Sequence, residues 1–175
     1  MQTFLIAAAV IGVIGFSIFR QVKGEPLRGK RVILLPVILL VIGLTSVAGT
    51  HHLEPLDVTL IASSAAIAAV IGIAQGLVLR LESRNGGLWG QMPVRGLWLW
   101  AGLIASRVAI TVIALSLHAH IASSTDSMLL VLGVNRLAQA GVIVARAVSA
   151  GIPFAPEKDG RPFMPELFGS MSARS

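Results

Sequence analysis

Five long, predominantly apolar runs, residues 3–19, 32–49, 58–79, 96–117 and 128–150, leave this chain few folds to choose from. Each is close to the ~20 residues that a helix needs to cross the hydrocarbon core of a bilayer. In lipid, only helices and closed barrels satisfy their own backbone. A barrel strand would alternate polar and apolar residues over ~10 positions, and these runs do not alternate. The expected fold is therefore all-α: a polytopic transmembrane helix bundle of five spans within residues 1–150. A Pro-rich cytoplasmic tail, residues 151–175, is expected to be extended or disordered.

Composition excludes the main alternatives. The chain is 55% hydrophobic and 13% charged, whereas a soluble domain carries about a quarter charged residues. It contains no cysteine, which excludes disulfides, thiol redox chemistry and thiolate metal ligation. Its net charge of +6 fits basic loops beside anionic lipid better than nucleic acid, for which no recognition motif is present.

The loops alternate in basic content. Residues 20–31 hold Arg20, Lys23, Arg28, Lys30 and Arg31, and residues 80–95 hold Arg80, Arg84 and Arg95. Residues 50–57 and 118–127 hold neither Lys nor Arg. The positive-inside rule then predicts an external N-terminus and an internal C-terminus. The first run has no basic residue before it and no small-residue cleavage site, so it reads as an uncleaved span. Trp89, Trp98 and Trp100 fall at the inner interface, as an aromatic belt would place them. Pro36 falls in the first turns of its span, where a missing N–H does least harm. Gly72 and Gly76 form a small-xxx-small pair, a candidate helix contact. Asn85-Gly86-Gly87 signals a turn.

The spans contain arginine but neither Asp nor Glu. Arg107 lies about 15 Å into its run and Arg136 about 12 Å from the outer end of the last one, at 1.5 Å per residue. A charge at mid-helix costs about 2.5–3.5 kcal/mol on insertion scales. Arg146 lies near the inner end and can snorkel to the headgroups. The helical period puts Trp100, Leu103, Arg107, Thr111, Ala114 and His118 on one face of the fourth span. On the fifth, Asn135, Gln139 and Arg146 share a stripe, with Arg136 at its edge. Gln75, Ser63, Ser64, Thr45 and Ser46 are candidates to complete a polar centre, and Ser106 and Ser116 to bond back to their own helix. Such stripes turn inward. Arg107, Arg136, Asn135, Gln139 and Thr111 are thus the candidate anion- or partner-binding residues, because guanidinium suits bidentate recognition of carboxylate and phosphate. The competing structural reading has both guanidiniums bonded to carbonyls and amides that fix helix packing.

His51, His52, His118 and His120 all fall in the outer loops, near Glu54, Asp57 and Asp126. They form a candidate Zn²⁺ or Cu²⁺ site, although the spacing fits polar helix ends better. No paired titratable groups suited to acid–base catalysis are evident, so no enzyme and no cofactor are expected.

Three segments carry a family resemblance: GKRVILLPVILLVIGL, GIAQGLVLRLESRNGGLWGQ and RGLWLWAGLIASRV. In this order, over roughly residues 28–147, they resemble the CcdC-like family of small bacterial integral membrane proteins, a domain family without an established activity. The resemblance implies a multi-pass protein of the bacterial plasma membrane and no active site. The leading expectation is an accessory or partner subunit whose buried arginines meet an anionic group. The alternatives are a small binding or transport protein for a lipid-like or organic anion, and an outer-face metal-binding protein. Membrane lipid is the expected partner, with another membrane protein or a second copy of the chain as further candidates.

Overall fold

A computed structural model describes residues 24–49, 54–84, 86–117 and 124–156; of Thr125 and Asp126 it describes the backbone only. Within these lie four helices: α1 (Gly29–Ala48), α2 (Pro55–Val78), α3 (Leu97–Ser116) and α4 (Thr125–Ser149). All four are long and apolar enough to cross a membrane. The first apolar run, the four histidines and the tail beyond residue 156 lie outside the described residues.

The helix with the most polar residues is also the most enclosed. α4 runs between α1 and α2, and α3 lies against α2 on the outer side. This arrangement follows from solvation: in a bundle surrounded by lipid, a helix carrying Asn135, Arg136 and Gln139 is cheapest where protein surrounds it. The apolar helices turn broad faces outward, among them Leu34, Ile38 and Ile42 on α1 and Ile104, Val108 and Val112 on α3.

Glycines stand at the crossings of α4 with both α2 and α1. A Cβ at Gly72 would collide with the Asn135 carbonyl oxygen. One at Gly76 would stand 2.7 Å from Val142 Cβ and 3.0 Å from the Gln139 carbonyl oxygen. The Gly72/Gly76 pair is thus the α2–α4 contact. The α1–α4 crossing is reciprocal: Gly43 meets the Leu130 backbone, and a Cβ at Gly133 would stand 2.7 Å from Leu40 N. Lipid supplies no hydrophobic force between helices, so close backbone approach and its dispersion contacts hold such crossings.

The all-α expectation is corrected at one end of the bundle. Strands β1 (Glu25–Pro26), β2 (Arg80–Arg84) and β3 (Gly87–Gln91) form an antiparallel sheet in the order β1-β3-β2. β2 and β3 are a hairpin in register Arg80↔Gln91 to Arg84↔Gly87, and Gly86 at its tip has φ 74°. That left-handed conformation is the one the Asn-Gly signal anticipates. The sheet buries Leu88 against Leu79, Met92, Ile143, Ala147 and Phe154, so it caps the ends of α2 and α4. The chain after α4 returns to the sheet: Leu88 N donates to the Pro153 carbonyl at 2.9 Å and Ala155 N to the Leu27 carbonyl at 3.0 Å. The first residues of the expected tail are therefore held against the sheet.

α1 begins at Gly29, three residues before its apolar run. Pro36 consequently lies inside the helix and is buried. It leaves the Val32 carbonyl without its i+4 donor.

Candidate anion site

The two central arginines point to different ends of the bundle. Arg107 Nη2 donates to Ser127 Oγ at 2.7 Å and to the Ser124 carbonyl at 3.3 Å. Ser127 Oγ in turn donates to the Ser124 carbonyl at 2.9 Å, and Ser124 Oγ caps α4 by accepting from Ser127 N. Arg107 therefore ties α3 to the first turn of α4, at the end away from the sheet. Its partners are neutral, and its buried Nη1 has no acceptor among the described residues.

Arg136 is held by a different set. Its Nη1 donates to Gln139 Oε1 at 2.9 Å, and its guanidinium lies 4.5 Å from the centroid of the Trp100 ring. A cation over an indole face is attracted by the ring quadrupole, most strongly where water is excluded. Trp100 is therefore part of the interior, against its expected role as a belt residue. Trp98 is 81% exposed. Trp89 belongs to β3 and stacks beneath Arg84, 5.1 Å from its ring centroid.

Arg136 and Gln139 line a cavity of about 400 Å³ between α1, α4 and β1. Arg28, Arg31 and Glu25 supply its other charges. Leu27, Val32, Leu35, Pro36 and Ile143 supply apolar walls. Glu25 is the one acid among the lining residues, and its Oε2 lies 3.7 Å from Arg31 Nη1. Arg28 Nε is buried and has no acceptor among the described residues. The cavity is thus lined by three arginines and one glutamate between largely apolar walls. An anion placed there would meet the partly buried Arg28 and Arg136 as well as the solvent-exposed Arg31, and charge-assisted hydrogen bonds are strongest on the enclosed side.

The remaining candidates separate into structural and peripheral groups. Asn135 is fully buried, and its Nδ2 donates to the Ala68 carbonyl at 2.9 Å, fastening α4 to α2. Thr111 is half-buried on α3 one turn beyond Arg107 and does not line the cavity. The inward face of α3 is as expected, with Leu103 and Ala114 buried and Trp100, Arg107 and Thr111 partly so. Arg146 does not simply reach for headgroups. Its Nη1 donates to the carbonyls of Gly76, Leu77 and Leu79 at 2.7, 3.1 and 2.7 Å. It closes the C-terminal end of α2, where carbonyls lack helical donors and the helix dipole favours a cation.

Gln75 and Ser64 are buried, whereas Ser63 and Thr45 face outward and bond to their own helices. Ser106 and Ser116 do the same, donating to the Leu103 and Val112 carbonyls. The metal reading rested on His51, His52, His118 and His120, which lie outside the described residues. Among the described residues no group of three or more His, Cys, Asp or Glu comes together.

Sequence reasoning missed Glu25, Arg28 and Arg31 as site residues, because a basic loop reads first as a topology signal. Arg28 and Arg31 do flank Gly29, the start of α1, one helical turn or two from Pro36. A proline inside a span beside a basic helix start was the available clue.

No family model, curated protein or solved structure matches the chain.

Proposed function

We propose that this protein is a non-catalytic integral membrane protein that binds an anionic amphiphile, with Arg136 as its anchoring residue. The observation that carries the reading is the cavity in which Arg28, Arg31 and Arg136 converge on apolar walls. Gln139 and Trp100 orient the Arg136 guanidinium without neutralising it. Such a site suits a ligand with one charged end and one apolar end: the head meets the guanidiniums and the chain follows Leu35 and Ile143 toward lipid.

The basic residues of the described chain support an orientation with the sheet in the cytoplasm. Arg28, Arg31, Arg80, Arg84 and Arg95 all belong to the sheet end or the segments that flank it. With the first apolar run as a fifth span, the N-terminus would be external and the ligand would enter from the inner leaflet. The CcdC-like resemblance adds a bacterial plasma membrane and a multi-pass architecture to this reading, and no chemistry.

Native mass spectrometry of the purified protein tests it. A bound anionic lipid or long-chain acid is expected on the wild type and is expected to be lost in Arg136→Gln. A wild type that carries only zwitterionic lipid, or an Arg136→Gln protein that retains the anion, would overturn the assignment.

A second reading has the anion come from a partner's carboxylate at Arg107, whose buried Nη1 has no acceptor among the described residues. Stoichiometric co-purification of another membrane protein, lost in Arg107→Leu, would favour it.

A further inference from the structure

We infer that the groove between α2, the hairpin and the start of α3 binds an anionic phospholipid of the leaflet on the sheet side. Arg80, the first residue of β2, and Arg95, just before α3, line it together with Val78, Val94, Trp98 and Leu99. The groove has a volume of about 880 Å³ and shares no lining residue with the Arg136 cavity. It is therefore a second site, and it stands or falls separately from the first.

The fold brings its two arginines together. Leu79 is extended after the last turn of α2, so the chain leaves the helix as a strand at Arg80. The hairpin returns Gln91 to a position opposite Arg80. A single 3₁₀ turn, Val94–Gly96, then leads into α3, with Gly96 N donating to the Pro93 carbonyl at 2.7 Å. The floor is tightly packed. Met92 is buried, and a Cβ at Gly96 would stand 2.7 Å from Met92 Cγ and 3.5 Å from Val78 Cγ1. The rim is open: Arg80 and Arg95 are exposed, as are Val94 and Trp98.

The lining holds two arginines and no acid. Guanidinium recognises phosphate oxygens in bidentate geometry. A zwitterionic headgroup also carries an ammonium, which would find no carboxylate in this lining, so the groove selects for net negative charge. The apolar walls come from two helices long and apolar enough to cross a bilayer. Their exposed Val78 and Trp98 suit acyl chains beside the headgroup, and tryptophan is favoured where hydrocarbon meets headgroups. Basic pockets between spans are a recurrent form of anionic-headgroup site.

Quenching of Trp98 by brominated lipid tests the inference. The full-length protein is reconstituted in phosphatidylcholine vesicles in which a minor fraction is chain-brominated phosphatidylglycerol or chain-brominated phosphatidylcholine. The Trp98 signal is the difference between each protein and its Trp98→Phe counterpart. Phosphatidylglycerol is expected to be enriched beside Trp98 at least about fivefold over phosphatidylcholine, the scale of one arginine near an anionic headgroup. Arg80→Gln/Arg95→Gln, which alters two exposed side chains, is expected to abolish that enrichment. Arg84→Gln/Arg136→Gln removes the same net charge outside the groove and is expected to preserve it. Equal quenching by the two lipids in the wild type would overturn the site, as would enrichment that survives Arg80→Gln/Arg95→Gln. Equal loss in both double variants would overturn it too, by showing only a general attraction of the basic end for the leaflet.

Discussion

Arg107, Arg136 and Arg146 start from comparable apolar surroundings and reach three different solutions. Arg146 satisfies the backbone at the end of α2 with three carbonyl contacts. A hydrogen bond from a charged donor contributes a net of about 1.5–3 kcal/mol, and contacts sharing one nitrogen do not add in full. Arg146→Met is therefore expected to lower stability by about 2–3 kcal/mol, read as an earlier midpoint in denaturant or heat. Arg107 differs. Ser127 Oγ keeps its bond to the Ser124 carbonyl without it, and removing a half-buried charge with an unsatisfied nitrogen lifts a desolvation penalty. Arg107→Leu is expected to melt no more than slightly below wild type, by less than ~1 kcal/mol, and to leave ligand binding intact. The inward position of Asn135, Gln139 and Arg107 was legible from helical period alone. The opposite reach of Arg107 and Arg136 was not, because a helical wheel fixes a residue's angle about the axis but not the path of a long side chain along it. Nor could spacing join Glu25, Arg28 and Arg31 to Arg136, which is more than a hundred positions away.

At the level of elements, α4 depends on backbone contact with both neighbours. A side chain at Gly43 would strike Leu130, and one at Gly76 would strike Val142. Overpacking of this kind typically costs 1–3 kcal/mol. Gly43→Val and Gly76→Val are each expected to destabilise by about that amount or more, while Gly102→Val, where nothing lies within 4 Å, should be tolerated. The comparison of melting temperatures separates a packing effect from any general intolerance of valine. The Gly72/Gly76 contact could be read from sequence because its small residues recur four apart. Gly43 and Gly133 could not, since each stands without a partner on its own helix and acquires meaning only from the facing backbone. The sheet was half legible. Asn85-Gly86 gave the turn, but five-residue strands between spans carry too little periodicity to identify, and β1 consists of only two residues. The tertiary contact of Leu88 with Ala147 and Phe154 holds the hairpin.

For the whole molecule, the bundle places a sheet and a cluster of basic residues at one end of four apolar helices. With no native cysteine, single cysteines report sidedness cleanly. Glu82→Cys on the hairpin is expected to react with an impermeant maleimide only after the inner face is exposed, and Ala48→Cys at the far end of α1 in intact cells. The reverse pattern would invert the orientation and put the cavity on the outer leaflet. The site itself is best tested with a chain-matched series: dodecyl phosphate, dodecanoate, dodecanol and dodecyltrimethylammonium, titrated by calorimetry against wild type and Arg136→Gln. The two anions should bind to wild type at least about tenfold more tightly than the neutral and cationic members, and Arg136→Gln should erase that difference. Equal binding of dodecanol and dodecyl phosphate to the wild type would show that the cavity recognises only the chain and that its arginines serve the fold alone.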